Sequence, residues 1–409
     1  MISAVVISIG NELTSGHVTN SNSVVIAKYL KNRGIPVRLI ITVGDYEDQI
    51  INVLHNLPKE IRLVFITGGL GPTNDDITVQ ALAKYCGKSL IYKKEIIDRI
   101  EERFRRRGFI MSEENRKQAY IPENAQILSN PVGSAPGLKF EQDGRVFFVM
   151  PGVPVEMEAM LTTVIAPELE KFSSSRILQK IIHVTGLPES QVYAVLKLWI
   201  EQHPAIEVAF LPLTTHTDVV LTIRESADEK VIATYVRQVT ALLADHVFGY
   251  DDDTLENCVA RMLVEKHLTI AVAESCTGGL IAHRLTNVAG SSDYFKMGVV
   301  VYSNEAKIRI LGIDCKIIEK HGAVSPEVAG LMAQQVRRIS GCNLGISSTG
   351  IAGPSGGSDS KPVGLVWIGI SDQNNDQTLS FNFTRDRLTN KLLFSQAALN
   401  QLRLLLTAL

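Results

Sequence analysis

Short apolar runs alternate with amphipathic stretches along the first part of the chain. Four runs rich in β-branched or aromatic residues predict buried strands: Ala4–Ile9, Val37–Val43, Arg62–Thr67 and Arg145–Met150. Stretches between them, such as Ser21–Gly34, have helical spacing and end at a glycine. Strands that alternate with helices predict a parallel sheet covered on both faces, and ligands of such sheets bind at the carboxyl ends of the strands.

The pattern changes twice further along the chain. The segment KFSSSR (Lys171–Arg176) predicts a linker, and the residues after it follow the order strand, helix, strand, strand, helix, which indicates a small α+β module. From Asp251 to Leu409 helices and strands alternate again. We therefore expect a three-domain α/β chain with domains at residues 1–170, 171–250 and 251–409.

Composition narrows the class of protein. Of the 409 residues, 45% are hydrophobic and 21% charged, and the net charge is −2, so the chain is globular and lacks the basic character of a nucleic-acid binder. We interpret FRRRGF (Phe104–Phe109) as a solvated helix face. Five scattered cysteines without CxxC spacing indicate reduced thiols rather than disulfides or a zinc site. With no signal peptide and no apolar membrane span, we expect a cytoplasmic protein without membrane or nucleic-acid partners.

A glycine-rich loop follows the third predicted strand. In TGGLGPTNDD, Gly68, Gly69 and Gly71 allow the backbone to approach a ligand closely and to turn its N–H groups towards it. Asp75 and Asp76 supply hard oxygen ligands suited to a divalent cation beside phosphates. The alternative interpretation is a tight Gly-Pro turn with an aspartate helix cap.

Two further polar loops follow strands of the same domain. Glu12 lies in GNELTSGHVTNSN after the first strand, and Gly152 and Glu156 lie in MPGVPVEMEAM after the fourth. Because the carboxyl ends of parallel strands meet at one edge of a sheet, three such loops together favour a phosphate and metal site over isolated turns.

In the third domain, the stretch AESCTGGLIAH places Ser275 directly after an apolar run and before a helical segment. Either Ser275 or Thr277 is suited to cap that helix. The same position is where acyl-transfer enzymes place a nucleophile, and the backbone N–H groups of Thr277, Gly278 and Gly279 would then stabilise an oxyanion at the helix N-terminus. The two interpretations remain open at this point.

A catalytic serine also needs a base. His283 lies about two helical turns beyond Ser275 and points away from it, and His321 in KHGAVS has no evident positional tie to the serine. The third candidate is Lys307 in VVVYSNEAK. Its pKa of about 10.4 must fall by roughly three pH units before the amine is neutral at pH 7, which burial can achieve. We therefore expect Lys307 to be mostly buried.

Other polar residues complete the candidate site. Tyr302 either donates a hydrogen bond towards the site or belongs to the core, and Arg385 is either a phosphate clamp or an exposed arginine. A long loop over residues 347–364 follows a strand and has little side-chain bulk, which suits a sugar phosphate. Its candidate binding residues are Gly350, Gly353, Gly356 and Gly357.

Taken together, the motifs resemble the CinA (competence/damage-inducible) family along the whole chain. In the first domain the resemblance rests on GNEL, TGGLGPTNDD, NPVGSAPG and MPGVPVEM. It implies a molybdopterin-binding-like domain with a pyrophosphatase activity on ADP-ribose that depends on a divalent metal such as Mg, Mn or Co. The residues that match are Glu12, Gly68, Gly69, Gly71, Asp75, Asp76, Gly152 and Glu156.

In the third domain the resemblance rests on ESCTGG, VYSNEAK, HGAVS, STGIAGPSGG and KPVG. It implies a nicotinamide-nucleotide deamidase that converts nicotinamide mononucleotide and water to nicotinate mononucleotide and ammonia without a cofactor. Ser275 would be the nucleophile and Lys307 its base, with Tyr302 nearby. Glycines of both loops would hold the oxyanion and the phosphate, and the family resemblance also implies a homodimer.

The middle module resembles the KH-type module of the same family. KH domains that bind RNA use a GXXG loop, whereas the corresponding segment begins Gly186-Leu-Pro-Glu and has no second glycine. We therefore expect a spacer or a dimer contact. Two alternatives to a bifunctional hydrolase remain: a non-catalytic competence or DNA-damage factor, and a molybdopterin-binding protein.

Overall fold

The computed structural model describes residues 2–172, 178–224 and 229–409. These residues divide into two compact units, one built of residues 2–172 with Leu178 and Arg224 and the other of residues 179–223 and 229–409. Most of the predicted linker Lys171–Arg176 lies outside the described residues.

The first unit is organised around a six-stranded sheet in the order β2-β1-β3-β8-β7-β6. The four strands predicted from sequence are present and parallel, and β7 and β6 extend the sheet in antiparallel pairing. The sheet is therefore mixed rather than wholly parallel. The strands of this unit are Ser3–Ile9 (β1), Val37–Val43 (β2), Ile61–Thr67 (β3), Leu90–Tyr92 (β4), Tyr120–Pro122 (β5), Gln126–Leu128 (β6), Gly137–Gln142 (β7) and Arg145–Met150 (β8).

Helices cover both faces of this sheet because its central strands are apolar on both sides. Alternate residues of β1 enter two separate core clusters, Val5 and Ile7 on one face and Ala4 and Val6 on the other. The helices are Asn11–Thr14 (α1), Ser21–Lys31 (α2), Glu47–His55 (α3), Thr78–Cys86 (α4), Lys94–Arg106 (α5), Pro154–Met160 (α6) and Ala166–Leu169 (α7). The basic segment FRRRGF ends α5, with Arg105 and Arg106 exposed as expected.

The middle module has a four-stranded sheet in the order β10-β11-β9-β12. Its fourth strand, VFGY, was not predicted. The elements are Leu178–Val184 (β9), Glu189–Gln202 (α8), Glu207–Pro212 (β10), Thr217–Ile223 (β11), Glu229–Leu243 (α9) and Val247–Tyr250 (β12).

The third domain contains a five-stranded sheet in the order β14-β13-β15-β16-β17. Strands β14, β13 and β15 are parallel, and β16 and β17 are antiparallel. The strands are Ile270–Glu274 (β13), Phe295–Val300 (β14), Leu344–Gly350 (β15), Leu365–Ser371 (β16) and Asp376–Asn382 (β17). Strand β13 lies between β14 and β15, and every residue of it is buried.

The helices of the third domain pack on both faces of this sheet. Ile270 and Val272 enter one core cluster and Ala271 and Ala273 the other. The helices are Leu255–Glu265 (α10), Leu280–Thr286 (α11), Asn304–Leu311 (α12), Cys315–His321 (α13), Pro326–Ser340 (α14) and Arg387–Ala408 (α15). Across the described part of the chain, no helix combines the length and the apolar character needed to cross a bilayer.

Candidate functional sites

A cavity of about 480 Å³ lies at the carboxyl ends of β1, β3 and β8 in the first unit. Gly68, Gly69, Gly71 and Gly152 all line it, as the sequence predicted. Two of these glycines are also required by packing. A Cβ on Gly68 (φ +109°) would lie 2.0 Å from the carbonyl oxygen of Ile9, and one on Gly69 (φ +66°) would lie 2.1 Å from Thr78 Oγ1.

The four predicted acidic residues Glu12, Asp75, Asp76 and Glu156 line the same cavity, and Asp45 joins them. Sequence reasoning missed Asp45, although it follows the carboxyl end of β2 as the others follow β1, β3 and β8. Partial burial raises the pKa of Asp45, and the carboxylates of Glu12, Asp75 and Asp76 raise it further. This is the electrostatic setting that a bound cation relieves.

The acidic residues differ in how they are already engaged. Asp76 Oδ2 accepts a hydrogen bond of 2.9 Å from the backbone of Thr73, and Glu156 Oε2 accepts one of 2.8 Å from Asn130 Nδ2. Within the described residues, no three carboxylates of this cavity bring ligand atoms within 4.8 Å of one another. What the lining offers is five acidic residues around one cavity, and carboxylate oxygens are the kind of ligand that divalent cations such as Mg²⁺ take.

In the third domain, Ser275 follows the last residue of β13 and Lys307 lies in the first turns of α12. The Lys307 Nζ is 3.1 Å from Ser275 Oγ, 2.8 Å from the carbonyl oxygen of Val301 and 3.4 Å from that of Tyr302. Lys307 is only 1% exposed and Ser275 8%. The expectation that Lys307 is buried is confirmed. Its amine lies within hydrogen-bonding distance of the Ser275 hydroxyl.

Burial lowers the pKa of Lys307 below its ordinary value, because the charged amine loses its hydration. Among the described residues, no carboxylate forms an ion pair with Lys307, which would favour the protonated amine and raise its pKa again. A neutral amine has two N–H groups and one lone pair. If the carbonyls of Val301 and Tyr302 accept the two hydrogens, the lone pair faces the hydroxyl of Ser275, which then donates to Lys307.

Cys276, which follows Ser275 in the sequence, is buried, and desolvation raises the pKa of its thiol to about 12. Its thiol is therefore protonated at neutral pH and is a poor nucleophile.

The start of α11 is capped by a residue that the sequence analysis did not consider. The buried carboxylate of Glu274 accepts hydrogen bonds from the backbone N–H groups of Gly279 (2.9 Å), Ile281 (3.1 Å) and Ala282 (2.8 Å). The prediction that Ser275 or Thr277 caps the helix is therefore wrong, because Glu274 caps it.

The oxyanion role expected of the glycine N–H groups is also wrong. The N–H of Gly279 is bonded to Glu274, and that of Gly278 donates to the carbonyl oxygen of Ser275 over 3.1 Å. The Thr277 hydroxyl is buried against Ser348 Oγ at 2.7 Å. None of the three residues lines the cavity beside Ser275, so they shape the turn rather than face a ligand.

That cavity has a volume of about 270 Å³ and is lined by Ser275, Cys276 and Lys307 at its base. Gly350, Gly353 and Gly356 of the glycine-rich loop line it as predicted, whereas Gly357 does not.

Tyr302 and an arginine lie at the cavity wall. Tyr302 is 60% exposed, so the core alternative is wrong, and its hydroxyl oxygen accepts a hydrogen bond of 3.0 Å from Arg387 Nη2. Arg387 also donates to the carbonyl oxygen of Gly353 over 2.7 Å. Arg385 and Arg387 are both exposed, and of the two Arg387 lines the cavity, so the lining does not support the clamp role predicted for Arg385. The signal was Asp386, an N-cap that directs Arg387 into the first turn of α15.

The two histidines considered as bases lie elsewhere. His283 is exposed and contacts Asn287, and His321 Nδ1 is 3.1 Å from Glu327 Oε1. Neither lines the cavity, so Lys307 is the candidate base that reaches Ser275.

The fold and these two sites define a three-domain mixed α/β protein with one polar cavity in its first domain and another in its third. Three family models match successive segments. They are described as a probable molybdopterin binding domain (residues 5–171), a damage-inducible protein CinA KH domain (residues 179–249) and the CinA C-terminal domain (residues 252–406). The chain belongs to the CinA family.

Full-length relatives agree with this assignment. A protein named competence-damage inducible protein from Caldicellulosiruptor bescii is 40% identical over 403 residues, which is 98% of each chain. One of the same name from Clostridium botulinum (strain Loch Maree) is 38% identical over 387 residues, 94% of this chain and 95% of its own. A solved CinA superfamily protein from Klebsiella pneumoniae is 31% identical, with 38% of this chain and 97% of that one covered and a TM-score of 0.37.

Proposed function

We propose that the third domain hydrolyses the amide of nicotinamide mononucleotide, giving nicotinate mononucleotide and ammonia. The observation that supports it most is the buried Lys307 amine 3.1 Å from the Ser275 hydroxyl, at the base of a polar cavity. An amide hydrolase needs a nucleophile, a base that later donates to the leaving nitrogen, and room for a tetrahedral intermediate. The nicotinamide nucleotide as substrate rests on the family resemblance.

The proposed reaction has two halves. Lys307 takes the proton of Ser275 as Oγ attacks the amide carbon, and the C–N bond then breaks as Lys307 returns that proton to the leaving ammonia. Water repeats the sequence on the acyl-serine: Lys307 takes a proton from water, the resulting hydroxide adds to the ester, and Oγ leaves and recovers its proton. We assign the oxyanion role first given to the neighbouring glycines to the backbone N–H of Cys276, because Cys276 is a lining residue of the cavity next to Ser275.

At the cavity wall, Arg387 and Tyr302 would hold the phosphate of the nucleotide. A guanidinium binds phosphate with two parallel hydrogen bonds, and Arg387 is kept in place by Gly353 and Tyr302. This proposal replaces Arg385 by Arg387.

Ammonia release from nicotinamide mononucleotide tests the proposal. Replacing the nucleophile in Ser275→Ala should lower kcat by at least about 1,000-fold. Cys276→Ala should keep most of the activity, because the thiol at this position is protonated. The reverse pattern would make the protein a cysteine enzyme and contradict the proposal.

For the first domain we propose a metal-dependent pyrophosphatase acting on ADP-ribose. The supporting observation is the cavity lined by Glu12, Asp45 and Asp75 together with close-packed glycines. Among these residues, the carboxylates would hold a Mg, Mn or Co ion, and the glycine backbone would approach the phosphates. The ion would supply charge neutralisation of the pyrophosphate. Phosphate release from ADP-ribose measured with a coupled phosphatase, compared with binding of molybdopterin, separates this proposal from the molybdopterin alternative.

A further inference from the structure

A polar cluster in the middle module lies apart from both candidate sites. His183 is on β9, Asp218 is on the neighbouring strand β11, and His216 directly precedes β11. His183 Nδ1 is 2.6 Å from Asp218 Oδ1, and His216 Nε2 is 3.0 Å from the same oxygen. Among the described residues, this is the group of three whose ligand atoms all lie within 4.8 Å of one another.

The hydrogen bonds of His183 determine where its lone pair points. Its Nε2 is 2.9 Å from the backbone carbonyl oxygen of Asp251, which only accepts, so Nε2 carries a hydrogen. In a neutral imidazole the other nitrogen, Nδ1, is then a lone pair, and it faces a carboxylate oxygen at 2.6 Å. Two acceptors at that distance require a positive charge between them, either an additional proton or a metal ion.

His216 is suited to a metal ion for a related reason. Its Nε2 is 3.0 Å from Asp218 Oδ1, the same oxygen that faces His183 Nδ1. Its Nδ1 is 2.9 Å from the hydroxyl of Thr215, which leaves Nε2 directed at Asp218. The nearby guanidinium of Arg284 is paired with Glu256, so its charge is balanced.

We propose that His183, His216 and Asp218 form a binding site for one zinc-type divalent ion. Two imidazole nitrogens and one carboxylate oxygen are ligands that zinc accepts, with water as the fourth. The Asp251 carbonyl and the Thr215 hydroxyl orient the two imidazoles from the outside, as partners of metal-bound histidines do.

The cluster needs little rearrangement to hold such an ion. Ligands of a tetrahedral zinc are about 3.3 Å apart at metal–ligand distances of about 2.0 Å. The 2.6 and 3.0 Å separations would therefore have to widen slightly. The side chains of His216 and Asp218 are 18% and 14% exposed, which gives the ion and its water an entry path.

The position of the cluster indicates a structural role. Phe248 stacks on His183 with ring centroids 5.3 Å apart and also belongs to the core cluster of the third domain. Asp251, which orients His183, leads into α10 of that domain. A bound zinc would therefore stabilise the junction between the middle module and the third domain, independently of either proposed activity.

Zinc binding to the full-length protein tests this proposal. Every sample carries Asp75→Asn/Asp76→Asn, called the background protein below, which removes two of the five carboxylates that line the first-domain cavity and so weakens competing metal binding there. The metal-free background protein is titrated with ZnCl₂, and zinc content after desalting and the melting temperature are measured. Cobalt(II) provides a second readout through its visible absorption. We expect one zinc per chain and a rise in melting temperature on addition of zinc.

Matched variants locate the ion. His216→Gln and Asp218→Asn should lose the bound zinc and the zinc-dependent rise in melting temperature, with unchanged far-ultraviolet circular dichroism. His283→Gln, which alters an exposed histidine outside the cluster, should behave as the background protein does. The proposal is overturned if the folded background protein retains no zinc, or if His216→Gln retains as much zinc as His283→Gln. The cluster would then be a protonated His183–Asp218 ion pair.

Discussion

At the residue scale, Arg387 differs from its neighbour Arg385 although both belong to the short segment TRDR. The guanidinium of Arg387 is anchored at the cavity by Gly353 and Tyr302, whereas the side chain of Arg385 lies outside the lining. If Arg387 binds the substrate phosphate, its loss removes a charged hydrogen bond from ground state and transition state alike.

We therefore expect Arg387→Gln to raise KM for nicotinamide mononucleotide by about 10- to 100-fold with little change in kcat, since a charged hydrogen bond contributes about 1.5–3 kcal/mol. Arg385→Gln is the matched control and should leave KM unchanged. Steady-state kinetics of both variants test whether Arg387 binds the substrate phosphate. Equal effects on KM at the two positions would refute that role.

The same residues show what sequence can predict. Lys307 was named from its motif as a candidate base, and the chemistry set the condition that it be buried. The structure meets that condition, with Lys307 1% exposed. The choice between Arg385 and Arg387 depends on where α15 begins, and a shift of two residues moves a side chain to a different part of the helix surface. Strand pairing brings His183 to His216 and Asp218, which lie 33 and 35 positions later in the sequence, and no local pattern reveals this cluster.

At the element scale, Glu274 links the end of β13 to the start of α11. Its buried carboxylate accepts three backbone hydrogen bonds and thereby fixes the turn that holds Ser275. The sequence analysis considered Ser275 or Thr277 as the cap, as one of two open interpretations, because serine and threonine usually cap helices. An acidic side chain at the end of a buried strand was overlooked because an isolated buried carboxylate is costly.

Replacing this carboxylate should weaken the turn. In Glu274→Gln the amide N–H₂ group confronts backbone donors, so we expect the free energy of unfolding to fall by about 1–3 kcal/mol and ammonia release to fall with it. Urea denaturation measures the first effect. Glu319→Gln, which alters an exposed residue of α13, is the control and should change the free energy of unfolding by less than about 0.5 kcal/mol. A Glu274→Gln protein as stable as that control would contradict the capping role.

At the scale of the whole molecule, the order of domains was predictable because the alternation of strands and helices changes in the middle module. The mixed character of both large sheets was not, since the antiparallel direction of β7, β16 and β17 depends on connections rather than on apolar pattern. The two candidate sites lie in different compact units.

This separation predicts independent activities. Asp75→Asn/Asp76→Asn should abolish hydrolysis of ADP-ribose and leave ammonia release from nicotinamide mononucleotide within about twofold of wild type, because no first-domain carboxylate lines the second cavity. Both activities are measured on the same preparation. If ammonia release fell in parallel with ADP-ribose hydrolysis, the two sites would be coupled, which contradicts the prediction that they act independently.

The central claim is that a neutral Lys307 activates Ser275, and the pH dependence of kcat/KM for ammonia release tests it most directly. Because burial lowers the pKa of Lys307, the neutral fraction of its amine grows as pH rises through that lowered value. The rate should therefore increase with pH in wild type. Lys307→Arg, which stays charged, and Lys307→Met, which is neutral but not basic, should be inactive at every pH while remaining folded by circular dichroism. Ammonia release by either folded variant at a rate near that of wild type would contradict the mechanism.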